Sequence, residues 1–195
     1  MDTRVYPADI KHSIVSEMYE IRRPNIRHVL PTSRVVLCHS KGNRRPETPP
    51  EFVVVRTRAD GNCLFNAIVQ SRSLNYGTGG ILLPEDEFDQ ARRLRADVVA
   101  LLHEHRAFIE GFLSLSFDEY VAFMSQDGTW GGEPELSMAS IALDAAISVY
   151  SAPDLLLLSE YDLAEARASS GMVIPVLYHQ NLHYEALKFQ GVEAV

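Results

Sequence analysis

Between Ser40 and Pro50 the chain reads Ser-Lys-Gly-Asn-Arg-Arg-Pro-Glu-Thr-Pro-Pro, and no regular element can cross it. Proline lacks a backbone donor and pushes the residue before it out of the helical region. The run is therefore a linker or exposed loop. It divides the 195 residues into an N-terminal arm with its Pro-rich linker, 1–50, and a body, 51–195. That length suits one domain with an extra arm. In the arm, Ile10, Ile14, Val15 and Met18 fall on one stripe of a helix over Ala8–Tyr19. Pro24 and Pro31 interrupt the stretch after that helix, and Arg34–Leu37 suits a short strand.

The body alternates strand-like and helix-like runs. Phe52–Arg56 is β-branched and apolar, which predicts a strand. Ala59-Asp60-Gly61-Asn62 is a turn, Cys63–Ser71 a helix and Asn75–Gly80 a glycine-bearing loop. Pro84 with Glu85, Asp86 and Glu87 after it is a helix start, since proline is tolerated at the first position and acids complement the dipole there. Apolar residues then recur at helical spacing from Ala91 to Phe112, with a break near Arg106. Further helices are expected over Phe117–Ser125 and Glu135–Ala146, separated by a loop at Asp127–Gly132. Ile147–Tyr150, Met172–Tyr178 and His183–Phe189 read as strands, the last two joined by a turn around Gln180. This mixture predicts an α+β fold, a small central β-sheet flanked by helices.

Composition narrows the function classes. No run of about 18 apolar residues exists, so a membrane span is not expected. Met1-Asp2-Thr3-Arg4 does not open a secretory signal. Two cysteines, Cys38 and Cys63, are too few for a disulfide scaffold or a four-cysteine zinc site. A reducing, cytoplasmic setting is the simple expectation. Net charge is −8, with nine Lys/Arg against five Asp/Glu in residues 1–50 and nine against 21 in residues 51–195. From Ala107 to Ala166 there is no Lys or Arg, against eleven Asp/Glu. Such a surface repels nucleic acid and favours basic partners, although solubility alone would also account for it.

The turn Asp60-Gly61-Asn62-Cys63 puts a thiol at a helix N-terminus. The partial positive charge and free N–H groups there favour a thiolate. The same N–H groups suit an oxyanion formed when a carbonyl is attacked. Gly61 lets the chain turn tightly and leaves room for a substrate backbone. Most lone cysteines are inert and buried, so position alone does not make Cys63 a nucleophile. Cys38, with no glycine turn beside it, reads as a passenger.

A thiolate nucleophile needs a histidine to take and return its proton. Of seven histidines, His12, His28 and His39 lie in the arm, and His103 and His105 on the long helix. His179 and His183 flank the last turn. In a strand starting at His183, Glu185 points to the same side, roughly 7 Å along the backbone. A glutamate there could accept the second imidazole N–H. A lone histidine at a strand start is more often structural or solvated.

In combination these signals resemble the ovarian-tumour (OTU) cysteine proteases, most of them deubiquitinases. Three motifs carry the resemblance in the family's order. They are Ala59-Asp60-Gly61-Asn62-Cys63-Leu64-Phe65-Asn66-Ala67, then Gly128-Thr129-Trp130-Gly131-Gly132-Glu133-Pro134-Glu135-Leu136, then His183-Tyr184, and they span most of residues 52–190. The resemblance implies a papain-like OTU fold with an N-terminal extension. It implies Cys63 as nucleophile, His183 as general base and the backbone of Asp60, Gly61, Asn62 and Cys63 as the oxyanion hole. Asp60 matches an aspartate that in some members also orients the histidine. Trp130, Gly131 and Gly132 match a loop that packs the active centre on the substrate-binding side. Family members usually carry Asp or Asn two residues after the histidine, where this chain has Glu185. The third triad member is thus Glu185, Asp60 or Asn181.

The implied activity is hydrolysis of isopeptide bonds at the C-terminal glycine of ubiquitin or a ubiquitin-like modifier. The reaction needs no metal or organic cofactor. The implied partners are ubiquitin or polyubiquitin chains, whose basic tail suits an acidic body. The other reading is a ubiquitin-binding module that keeps the fold and has lost catalysis, or a cysteine acting on another acyl or amide substrate. The arm carries no matching motif; binding a target, extending the ubiquitin-binding face and packing on the body are all open to it. A microbial or viral origin would put the action in a host cell's cytosol.

Overall fold

A computed structural model describes residues 51–162, 170–179 and 183–190. The predicted arm helix and strand, Cys38, the linker 40–50, Gln180 and Asn181 lie outside the described residues. The described elements are ten helices and strands and one short 3-10 turn. In chain order they are β1 (Phe52–Val55), α1 (Cys63–Tyr76), α2 (Pro84–Glu104), α3 (Arg106–Ile109), a 3-10 turn (Glu110–Phe112), α4 (Phe117–Met124), α5 (Glu133–Ala142), β2 (Ala146–Ser151), β3 (Leu156–Tyr161), β4 (Val173–His179) and β5 (His183–Phe189). The strands form one mixed sheet in the order β1-β5-β4-β2-β3. Of the described pairs, only β2 and β4 run parallel; the others are antiparallel.

The expected elements are found with shifted ends. Leu83 precedes α2 as its N-cap, with Pro84 in the first turn and Glu85, Asp86 and Glu87 facing the dipole. The expected break falls at His105. α1 runs past Ser71 to Tyr76, so Asn75 and Tyr76 are helical rather than loop. Tertiary bonds override local preference there: Asn75 Nδ2 donates to Leu187 O at 2.9 Å and its Oδ1 accepts from Phe189 N at 2.9 Å. α5 stops at Ala142, four residues before the expected end, and Asp144 turns the chain with φ 48°. Aspartate tolerates that left-handed conformation, which lets Ala146 open β2 instead.

The core lies where α1 and α5 pack on the sheet, with α2 packed over those two helices and α4 on α2. Phe65, Ile68, Val98, Leu102, Phe117, Met124, Leu136, Ile147, Ile174 and Val176 are all almost completely buried in it. α1 is buried on nearly every side, from Cys63 through Ser71. Ser71 Oγ donates to Pro175 O and Leu187 O, on β4 and β5. The central helix is thereby fixed on the adjacent inner strands β4 and β5, and its first residue comes to rest near the start of β5.

Candidate active site

Cys63 is the first residue of α1 and is buried. The turn before it is held from within. Asp60 Oδ1 accepts from Asn62 N at 2.9 Å and from Asn66 Nδ2 at 3.4 Å. Its other oxygen lies 3.7 Å from Arg58 Nε, which also reaches Glu87 at 3.4 Å. Gly61 has φ +83° and presses on Gly128, whose carbonyl oxygen would lie 2.1 Å from a Cβ at position 61. Only glycine meets both demands. Asn62 is the N-cap of α1 but makes no side-chain cap bond. Its Oδ1 instead accepts from Gly128 N at 3.0 Å and Arg95 Nη2 at 2.7 Å. The first-turn N–H groups of α1 are therefore left without a side-chain cap, and those of Cys63 and Leu64 favour the Cys63 thiolate.

The second strand of the site is β5. It pairs with β1 from Phe52↔Phe189 to Val55↔Ala186. Beyond Val55 the pairing ends, and the Thr57 hydroxyl donates to Tyr184 O. The backbone N–H of Tyr184 lies near enough to the Cys63 thiol to favour its charged form. His183 immediately precedes that donor and is half-buried. The structure thus brings the thiol to the His183-Tyr184 segment, 120 residues downstream. Tyr184 faces the opposite side of β5 from His183, against Tyr178, with ring centroids 5.0 Å apart.

His183 and Glu185 share a face, as expected, but the carboxylate has another partner. His179 stands directly across from His183 in the β4–β5 register, with ring centroids 6.1 Å apart. Glu185 Oε2 lies 2.8 Å from His179 Nε2, a diagonal cross-strand pair. Asp60 is likewise taken up by its own turn and Arg58.

The electrostatics of the thiol differ from the expectation of a ready-made thiolate. Burial pushes the Cys63 thiol above its ordinary value, and the charge of Asp60 adds to that. The N–H bonds from Tyr184, Leu64 and Cys63 itself pull the other way without reversing the shift. Desolvation of a charged form outweighs a few dipoles when the site is closed. Burial thus favours the thiol form of Cys63 over the thiolate.

The Trp130–Gly132 loop lies against the same helix. A Cβ on Gly131 would come within 2.6 Å of Leu64 Cδ2, the side chain next to Cys63. Gly132 N donates to Glu135 Oε2 at 2.7 Å, and Tyr120 Oη donates to Glu135 Oε1. Glu135 is completely buried, and its burial raises its carboxyl above the usual carboxylate range. Among the described residues no group of three or more His, Cys, Asp or Glu could hold a metal ion.

The family model for OTU-like cysteine proteases matches residues 58–186. The chain belongs to the OTU-like cysteine protease family. It is 33% identical over 143 residues to OVARIAN TUMOR DOMAIN-containing deubiquitinating enzyme 4 of Arabidopsis thaliana, covering 70% of this chain and 43% of that protein. It is 28% identical over 177 residues to deubiquitinating enzyme 3 of the same plant, covering 77% and 74%. A putative ubiquitin thioesterase, 232R of Invertebrate iridescent virus 3, is 26% identical over 153 residues, covering 73% of this chain and 17% of that protein. The chain thus spans less than half of the first relative and most of the second. Among solved structures, the OTUD1 OTU domain matches with a TM-score of 0.54 and 22% identity, over 70% of this chain and 85% of that one. The Hazara virus OTU bound to ubiquitin matches with a TM-score of 0.53 and 19% identity, over 72% and 83%. These likenesses establish the OTU fold.

Two residues at the OTU site carry little signal in the sequence. His179 stands there only as a neighbour of the last turn, and its pairing with Glu185 depends on the β4–β5 register. Arg95 sits on α2 among Arg92 and Arg93, and nothing in that run separates the buried one from its exposed neighbours. Helical spacing offers the one available hint, since Ala91, Leu94, Arg95, Val98 and Leu102 share the buried stripe.

Proposed function

We propose that the chain is a deubiquitinase, hydrolysing isopeptide bonds at the C-terminal glycine of ubiquitin or a ubiquitin-like modifier. The observation that carries the reading is that the Cys63 thiol at the start of α1 lies by the backbone of Tyr184, the residue after His183. This proximity joins the start of α1 to the His183 segment in a chain of the OTU family. Relatives named as deubiquitinating enzymes and OTU structures solved with ubiquitin support the substrate class.

The Cys63 sulfur attacks the glycine carbonyl while its proton passes to the His183 imidazole. A C–S bond forms, and the carbonyl oxygen becomes an oxyanion facing the N–H groups at the start of α1. The tetrahedral adduct collapses, the C–N bond breaks, and the imidazolium gives its proton to the departing lysine amine. Water then attacks the thioester with His183 as base, releasing the glycine carboxylate and restoring the thiol. A raised thiol makes this general-base route more important than a standing ion pair. The roles of Trp130, Gly131 and Gly132 in seating the modifier's tail belong to the same proposal, as does a reducing cytosol as the place where Cys63 stays active.

One observation favours a second reading, a ubiquitin-binding module without turnover: Glu185 is engaged by His179. A ubiquitin probe with a thiol-reactive C-terminus separates the two. Covalent capture at Cys63, with hydrolysis of a fluorogenic ubiquitin amide abolished in Cys63→Ala, is the expected result. Tight binding without capture would establish the module, and full hydrolysis by Cys63→Ala would refute the assignment.

A further inference from the structure

We infer that Arg95 is a positioning residue for the oxyanion turn, holding Asn62 away from its capping position so that the first N–H groups of α1 remain free for the reaction. The inference rests on the hydrolase reading of Cys63.

Arg95 is 3% exposed. Its Nη2 donates to Asn62 Oδ1 at 2.7 Å and to Thr129 O at 2.8 Å. Its Nη1 donates to Met124 O at 3.1 Å and approaches Met124 Sδ at 3.4 Å. The guanidinium carbon lies 4.2 Å from the centre of the Phe65 ring, in the first turn of α1. One side chain therefore ties together α2, the nucleophile turn, the end of α4 and the loop that leads to Trp130. All four acceptors are neutral; the charges of Asp127, Glu135 and Asp60 compensate from farther away.

Stability alone does not call for such a residue. A buried cation is costly, and a well-packed apolar residue is often as stable. What the fork does locally is more specific. Asparagine at an N-cap normally turns its side chain onto the second or third N–H of the helix. In α1 those are the N–H groups of Leu64 and Phe65, the two residues that follow Cys63. Arg95 Nη2 and Gly128 N take up Asn62 Oδ1 instead. Without the guanidinium, Asn62 is released to cap the helix and the donors are lost to the reaction.

The test uses the full chain and a fluorogenic ubiquitin amide. Arg95→Met is expected to lower kcat about 10–100-fold, the range for a catalytic group misplaced by about an ångström. KM should stay within about twofold, which marks an interaction made in the transition state. Binding of ubiquitin aldehyde, whose adduct carries the oxyanion, should weaken in step with kcat. Alkylation of Cys63 by iodoacetamide, which forms no oxyanion, should change by less than about threefold. Adding Asn62→Ala to Arg95→Met should recover most of the loss, because alanine cannot cap the helix. Full turnover in Arg95→Met, no recovery in the double variant, or an equal loss in alkylation overturns the inference. Should Arg95→Met fail to fold, Arg95→Lys, which keeps the charge and loses the fork, is read in the same way with and without Asn62→Ala. A wild-type chain without hydrolysis would instead refute the underlying reading, a separate and recognisable failure.

Discussion

At the scale of single residues, the decisive group is a carboxylate that does not touch the histidine it was expected to orient. Glu185 is one methylene longer than the residue usual at its position, and that reach delivers Oε2 to His179 at 2.8 Å. In the proposed hydrolysis the two residues are expected to matter unequally. His183→Ala should lower kcat by about 10²–10⁴, the usual worth of a general base. Glu185→Gln should cost less than about tenfold, since its carboxylate is engaged on the neighbouring strand. Comparable losses for the two variants, measured on one ubiquitin substrate, would mean that Glu185 turns to His183 during catalysis. The thiol supplies a second residue-scale prediction. A group raised above its ordinary value binds its proton over a wider pH range, so at pH 7 Cys63 holds less thiolate than a free cysteine. Alkylation by iodoacetamide, monitored at the Cys63 peptide by mass spectrometry, should rise with pH through a midpoint above that of free cysteine. A midpoint below about 7.5 would place an ion pair in the resting site and overturn the general-base route.

At the scale of elements, the site is a contact between two loops with no side chains between them. Gly61 and Gly128, with φ +83° and +78°, meet face to face, and Asn62 and Arg95 bind the contact together. The two turns were legible in the sequence as the Asp60-Gly61-Asn62 turn and the glycine cluster at 127–132, because glycine beside Asp or Asn marks a turn. Their apposition was not, because a backbone-to-backbone approach leaves no residue type that names its partner. The same distinction explains β3. Leu156, Leu157 and Leu158 are all more than half exposed at the sheet edge, so the run lacks the alternation by which a half-buried strand is recognised. A pair of variants measures the contact. Gly61→Ala adds a Cβ 2.1 Å from Gly128 O in a left-handed conformation and should cost roughly 2–5 kcal/mol. Gly79→Ala shares the backbone conformation with nothing within 4 Å of its Cβ, and should cost only about 1 kcal/mol. Urea unfolding of the two variants beside the parent checks the difference, and equal costs would mean that the 61–128 contact yields freely.

At the scale of the whole molecule, one topological fact makes the site. β5 is the last described strand yet pairs with β1, the first, so the end of β1 and the start of β5 come together at one end of the sheet. The order of the three motifs along the chain hinted at this through family resemblance; hydrophobic pattern alone could not, since it carries no information on which strands pair. The same end gathers charge. Asp60 stands in the turn before Cys63, Asp127 precedes Gly128 and Glu133 comes after Gly132, all three exposed. Arg58, which contacts the turn, is shared between Asp60 and Glu87. An exposed acidic rim attracts a basic tail over about one Debye length, some 10 Å at 0.1 M salt and about 3 Å at 1 M. It acts on encounter rather than on the chemical step. Raising sodium chloride from about 0.05 to about 0.5 M should therefore lower kcat/KM for a ubiquitin amide severalfold while leaving kcat nearly unchanged. Alkylation of Cys63 by uncharged iodoacetamide should not respond, because no field steers a neutral reagent. A salt-independent kcat/KM would show that the acids at this end serve solubility alone, and the choice of substrate would then have to rest on the shape of the Trp130–Gly132 loop.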